Sequence, residues 1–312
     1  MFYVRRTGEL VPIAIQLEQE PGPNNPIWTP NDPELSWLLA KMYVRSADVH
    51  YQTLEGHLLM AHFMMEVFTL AVYRQLPQNH PVYKILIQHT RFCVAGAQMG
   101  RDLLLNGPDS VFQKILSLQG CEREFYVKYF ADFNFEQLIP PKNFAEREVD
   151  DRELLPGYHF RDDSMVIWNK ITEYVEKILR LFYKKDADVA DDKDLQAFVA
   201  DVNENGFNKG PGASPNGVPT SLKTVPAMVE FVSTIIFHSS VYHASMNFSQ
   251  SDYFSFGPNY PGAMRRPPPT AKVQVTEKDI MDSLPNKADQ AVAIAFAYYL
   301  SEPLDDEVIP LV

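Results

Sequence analysis

From Glu34 onward apolar side chains recur at the spacing of a helix. Leu38, Leu39, Met42 and Tyr43 form one group; Leu58, Leu59, His62, Phe63, Glu66, Val67 and Leu70 continue the period. The pattern predicts a helix from Glu34 to about Leu76, ended by Pro77 and Pro81, because proline cannot extend the helical ladder. Asn31 or Asp32 is placed to cap its start, with Pro33 in the first turn. The same period predicts helices over 82–105 and 110–130, an amphipathic helix over 164–185, a strongly apolar helix over 222–249 and another over 276–301. Strand-like sequence is confined to residues 2–17, where FYV and VPIAIQL flank the turn-like Thr7-Gly8-Glu9. Residues 18–33, 134–163, 203–220 and 257–271 read as loops or irregular chain, and the acidic run Asp186–Asp194 as a solvated loop and helix start. The fold class expected is mainly α with a short N-terminal β element, and no internal repeat is present.

Composition narrows the function classes. A chain of 312 residues, 46% hydrophobic and 22% charged, has the make-up of a folded protein with one large core or two modest domains. A net charge of -12 argues against a general nucleic-acid surface, and against attraction to anionic membranes except where charge is local. The two cysteines, Cys93 and Cys121, belong to no CxxC pair, so a reducing, cytoplasmic compartment is the simplest fit. The N-terminus lacks the features of a secretory signal. No uninterrupted apolar run reaches 18 residues, so no transmembrane segment is expected.

Among eight histidines, two positions stand out by pairing. His57 and His62, in EGHLLMAHF, are spaced i, i+5. In a regular α-helix that spacing sets them roughly 140° apart. They can serve one metal only if the helix widens locally, as at a π-bulge; i, i+4 is the usual helical metal pair. His243 and Asn247, in VYHASMNF, are spaced i, i+4 and share a face. Imidazole suits iron, copper and zinc, and an amide oxygen is a weak ligand. Ordinary polar side chains at a packing interface are the plain alternative for each pair. Taken together, three imidazoles and an amide without any thiolate disfavour iron–sulfur and structural zinc sites and suit a mononuclear non-haem iron. Spacing carries the reading no further.

The segment WLLAKMYVRSADVHYQTLEGHLLMAHFMMEVFTLAVYRQLPQNHPVYKILIQHTRF resembles the central iron-binding helix region of animal lipoxygenases. FRDD at 160–163, HASMN at 243–247 and PNYPGAMRRPPPTAK at 258–272 extend the resemblance over nearly the whole chain. It implies that residues 1–312 are part of a helical lipoxygenase catalytic domain, incomplete at both ends and without the family's N-terminal β-barrel. It implies one non-haem iron held by His57, His62, His243 and the weaker Asn247, with Gln250 behind them. Leu58 and Leu104 match residues lining the substrate channel. Gly100, before Arg101 in AGAQMGRDLLL, matches a position where the family's Ala goes with S products and its Gly with R products. The family's C-terminal isoleucine carboxylate has no counterpart in DDEVIPLV, although Val312 offers a carboxylate, and Thr53 stands where a glutamine is frequent, with Gln52 beside it.

The activity so implied is dioxygenation of a polyunsaturated fatty acid with a cis,cis-1,4-pentadiene to a hydroperoxide, R-specific if Gly100 acts as in the family. The expected partners are that fatty acid and O2, with no nucleic acid; peripheral membrane contact stays open although the usual membrane-binding domain is absent. The alternative is a catalytically inactive truncated lipoxygenase-like protein or fragment.

Overall fold

The computed structural model describes residues 1–116, 118, 120–209 and 216–302. It is mainly helical, and among the described residues it has a single two-stranded sheet. Strands β1 (Phe2–Val4) and β2 (Leu10–Pro12) pair antiparallel, with Phe2 opposite Pro12. The turn between them uses Gly8 at φ 88°, a left-handed conformation that glycine adopts at little cost. The second strand is shorter than its sequence suggests. Beyond Pro12, Ile13 still donates to the Met1 carbonyl at 3.0 Å, where the first strand has no further residues to pair. Ile15 instead exchanges two backbone hydrogen bonds with Trp28, at 2.9 and 2.7 Å.

The long helical pattern resolves into α1 (Glu34–His50), a π-helical stretch over Tyr51–Phe63 and α2 (Met64–Gln75), with Leu76 ending it before Pro77. The expected cap differs. Pro33 is the N-cap residue, and Asp32 instead accepts the Thr29 backbone N–H at 2.7 Å and pairs with Lys272. The pattern over 82–105 splits into α3 (Pro81–Thr90), α4 (Cys93–Gly100) and a wide turn over Arg101–Leu105. That over 110–130 splits into α5 (Val111–Ile115) and α6 (Glu122–Asp132), separated where Gly120 takes a left-handed φ of 88°.

Residues 134–163 are more ordered than their prolines suggest. Asn134 caps a 3-10 turn over Phe135–Leu138, and Pro140 opens α7 (Pro140–Glu146). Proline at the first helical position loses no hydrogen bond, so here it starts a helix. Then come α8 (His159–Leu179), α9 (Asp186–Ala190), α10 (Lys193–Asp201) and a wide turn over Val202–Phe207. The acidic run therefore forms a short helix and the next helix start; Asp192 accepts the Leu195 N–H. The remaining helices are α11 (Val225–Phe237), a π segment over His238–Tyr242, α12 (His243–Asn247), α13 (Gln250–Phe254), α14 (Glu277–Ser283) and α15 (Lys287–Ser301). Pro285, which follows the end of α14, accounts for the split between the last two.

The chain divides into two compact units. The first takes the described parts of Met1–Thr53, Leu104–Gln119 and Ser245–Val312; the second takes Leu54–Leu103 and Gly120–Ala244. In the second, α2, α3, α8, α10 and α11 close on a core that includes Phe68, Leu86, Val175, Phe198 and Phe231. Arg161, from FRDD, is buried and donates to the carbonyls of Val149, Asp151 and Leu155, each at 2.9 Å, so its guanidinium holds the loop before α8. The first unit packs Leu39 and Met42 of α1 against Ile280 and Leu284, with Trp28 buried beside Ile15 and Ala40. Two helices, Glu34–Gln75 and Val225–Phe254, are long and apolar enough to cross a membrane, but 67% and 61% of their apolar windows are buried inside the fold, so core packing accounts for their apolarity.

Candidate metal centre

Within the second unit His57, His62 and His243 converge, and their potential ligand atoms all lie within 4.8 Å of one another. The backbone explains how an i, i+5 pair manages this. Over Tyr51–Phe63 the helix is wound with i→i+5 hydrogen bonds, so a residue five positions on returns to nearly the same face. His57 and His62 thereby bring their Nε2 atoms to 3.2 Å. A second π segment, His238–Tyr242, immediately precedes His243, whose Nε2 lies 3.1 Å from that of His62. The three ring centroids are 4.6 to 5.5 Å apart.

Ring nitrogens that face one another this closely call for a shared cation or a shared proton. Ligands at right angles, about 2.1 Å from one metal, stand about 3 Å apart, close to the two separations observed. The protonation states favour the cation. Burial, aided by repulsion from His243, pushes the His62 imidazole down to about 3, and burial also lowers His243. Both rings are neutral at pH 7, the form that offers a lone pair to a metal. The donor set is three nitrogens without thiolate, so it fits a borderline metal such as iron or zinc.

The other residues singled out by sequence are distributed as follows. Leu58 is buried beside His57. Gly100, at the end of α4, sits so close to it that a Cβ added there would be 3.3 Å from Leu58 Cδ1. Gly96, one turn earlier, would place a Cβ 3.7 Å from His62 Nδ1. The two glycines thus let α4 lie directly on the histidine-bearing helix. Leu104, Asn247 and Gln250 belong to the first unit. Asn247 ends α12 one turn after His243; it is buried and donates its amide to the Leu300 carbonyl of α15. Gln250 is buried at the start of α13. Gln52 donates to the Met246 carbonyl at 3.1 Å and accepts from the Thr53 hydroxyl, so the amide at 52 bonds to α12. Val312 lies outside the described residues. The set the structure brings together is three imidazoles.

Two features escaped the sequence reading. Arg101 and Glu66 form a two-pronged ion pair, both bonds 2.7 Å, with the Arg101 guanidinium 5.4 Å from the Phe63 ring centroid. Glu66 stands four residues after His62, so this pair fixes the end of α4 against the metal-side helix. The only available hint was Glu66 on an otherwise apolar helix face.

The second feature is His238, fully enclosed at the head of the π segment, with its Nε2–H donated to the Leu138 carbonyl at 2.7 Å. Burial pushes it down to about 4. The unfolded chain binds a proton near 6.5 that the folded chain refuses until about 4, so stability contributed by neutral His238 is whole above pH 6.5 and falls between 6.5 and 4. The loss amounts to a few kcal/mol. Urea unfolding of wild type and His238→Gln at pH 7 and pH 4.5 checks this: the wild type should lose more stability than the variant, and equal losses would refute it.

Residues 1–309 match the family model described as Lipoxygenase. The chain is 38% identical over 308 residues to the allene oxide synthase-lipoxygenase protein of Plexaura homomalla, covering 98% of this chain and 29% of that protein. It is 39% identical over 300 residues to the mouse arachidonate 12-lipoxygenase, 12R-type, covering 96% of this chain and 42% of the relative. Among solved structures, a lipoxygenase in complex with arachidonate superposes with a TM-score of 0.95 at 38% identity, over 98% of this chain and 45% of that one. A coral 8R-lipoxygenase superposes with a TM-score of 0.93 at 38% identity, over 98% and 46%. The chain therefore spans less than half the length of each of these proteins.

Proposed function

Since this chain belongs to the lipoxygenase family, we propose that it is a non-haem iron dioxygenase that converts a polyunsaturated fatty acid and O2 to a hydroperoxide. The observation that carries the reading is the meeting of His57, His62 and His243, which takes two separate π-helical segments to produce. These three residues would hold iron, with Asn247 as a weaker fourth ligand and Gln250 behind it. Bound there, iron supplies one-electron redox chemistry, the kind needed to take a hydrogen atom from the carbon between two cis double bonds.

The chain's own residues set the rest. Neutral imidazoles, partly shielded from water, coordinate without competing protons. Leu58 beside His57, and Leu104 further along, offer apolar contact to an acyl chain. Gly100 leaves open the volume that a methyl would fill against Leu58. In this reading O2 reaches the radical there and the product is the R hydroperoxide; relatives described as 12R-type and 8R support that choice. The domain assignment proposed is a partial lipoxygenase catalytic domain over residues 1–312, in the cytoplasm, where Cys93 and Cys121 stay free thiols.

The test is to purify the chain and measure iron content together with conjugated-diene formation from arachidonic acid. About one iron per chain with diene absorbance is expected. Iron well below one with no diene would select the alternative, a catalytically inactive lipoxygenase-like chain.

A further inference from the structure

An imidazole that gives one nitrogen to a metal carries its proton on the other. In His62 the inner nitrogen is Nε2, which lies 3.2 Å from His57 Nε2 and 3.1 Å from His243 Nε2, so Nδ1 is the outer one. Metal-binding histidines donate this outer N–H to a carboxylate, a backbone carbonyl or water, and that bond fixes the tautomer and the aim of the ring. Among the described residues no protein group accepts from His62 Nδ1. Gly96 of α4 stands in front of it. A Cβ added at Gly96 would be 3.7 Å from Nδ1 and would come within 4 Å of no other atom of the ring, so residue 96 faces the nitrogen and not the body of the imidazole. Gly96 supplies no acceptor of its own: it has no side chain, and it sits within α4, where its N–H goes to the Phe92 carbonyl at 2.8 Å.

Packing does not require the glycine. A separation of 3.7 Å is ordinary van der Waals contact, whereas the Cβ at Gly100 would be only 3.3 Å from Leu58 Cδ1. Alanine would fit at 96 and is favoured over glycine inside a helix. Gly96 and His62 are both partly exposed, so solvent reaches both residues. We propose that Gly96 is a positioning residue for the metal ligand His62: lacking a side chain, it admits a water to Nδ1, and that water holds the ring in the metal-binding tautomer. The inference rests on the proposed metal centre and adds a residue that sets its affinity without touching the metal. A methyl at 96 would crowd the place of a water, which must lie about 2.9 Å from the same nitrogen. The N–H would then face carbon, and the tautomer that offers Nε2 to the metal would lose its support. A hydroxyl at 96 can accept in the water's place.

Zinc affinity tests this, measured by competition with a chromogenic chelator on the wild type, Gly96→Ala and Gly96→Ser. Gly96→Ala should bind zinc about tenfold or more weakly, the usual cost of a lost outer bond to a metal-binding histidine. Gly96→Ser should stay within about threefold of wild type, because its hydroxyl replaces the acceptor. The metal-free Gly96→Ala protein should melt no lower than the wild type, which separates lost metal affinity from a damaged fold. Equal zinc affinity in all three proteins would overturn the inference and leave the metal centre standing. Binding by Gly96→Ser as weak as that by Gly96→Ala would also overturn it, since bulk and not the missing acceptor would then be the cause. Zinc bound by none of the three would overturn the metal centre and this inference with it.

Discussion

Replacing His62 with alanine is expected to reduce bound metal from about one per chain to below a tenth, with loss of any diene formation. His62 is the middle ring: its Nε2 lies 3.2 Å from that of His57 and 3.1 Å from that of His243, while the rings of those two are centred 5.5 Å apart. Its removal leaves two nitrogens on separate helices with nothing between them. Each nitrogen ligand of a closed site contributes several kcal/mol, so a loss of a hundredfold or more in affinity follows. The fold should survive. The ring is neutral and partly buried, so truncation leaves a small cavity and no stranded charge, at a cost of about 2 kcal/mol. Elemental analysis of the purified variant beside wild type reads the metal directly, and a melting curve reads the fold. A variant that keeps full metal while remaining folded would show that the cluster is only a packed set of rings.

Why the cluster was hard to see in the sequence follows from the kind of information involved. The apolar period records which face of a helix is buried, and it located α2, α8 and α11. It does not record the hydrogen-bond register, and a helix wound i→i+5 keeps a similar apolar pattern over a few turns. The offset of His57 and His62 was therefore legible only as a demand for a wide turn, and its thirteen-residue extent was not. Proline had two meanings: at Pro77 it closed a helix and at Pro140 it opened one, because the consequence depends on whether an N–H was needed there. Asp32 looks like a cap in sequence but is claimed by Thr29 and by Lys272, which is distant along the chain. Glu66 and Arg101 are likewise joined only by tertiary packing. Resemblance named the candidate metal residues one by one; the geometry adds that two of the three imidazoles come from one π segment, that the third directly follows another, and that two glycines bring a third helix onto them.

Gly100→Ala is expected to turn a mainly R product into a mainly S one while changing stability little. In a helix, alanine is favoured over glycine by about 1 kcal/mol. Against that, the new methyl stands 3.3 Å from Leu58 Cδ1, so the leucine must give by a few tenths of an ångström. Leu58 is buried, and the backbone after Gly100 is held by the Arg101–Glu66 pair, so neither side yields freely. These two effects are of similar size and opposite sign in stability. They do not cancel in selectivity, because the methyl occupies the volume through which oxygen would reach one carbon of the radical. A difference of about 1.4 kcal/mol between competing routes already shifts their ratio tenfold, and an unrelieved methyl contact is of that order. The leucine supplies the control. Leu58→Ala placed in the Gly100→Ala background restores space on the far side of the contact, and the R fraction should recover in part. Chiral chromatography of the reduced hydroperoxides from the three proteins measures all of this. An R to S ratio that is the same in wild type and Gly100→Ala would remove Gly100 from stereocontrol. A ratio that shifts in Gly100→Ala but ignores Leu58→Ala would place the methyl's effect on oxygen itself, and would exclude an effect through the leucine.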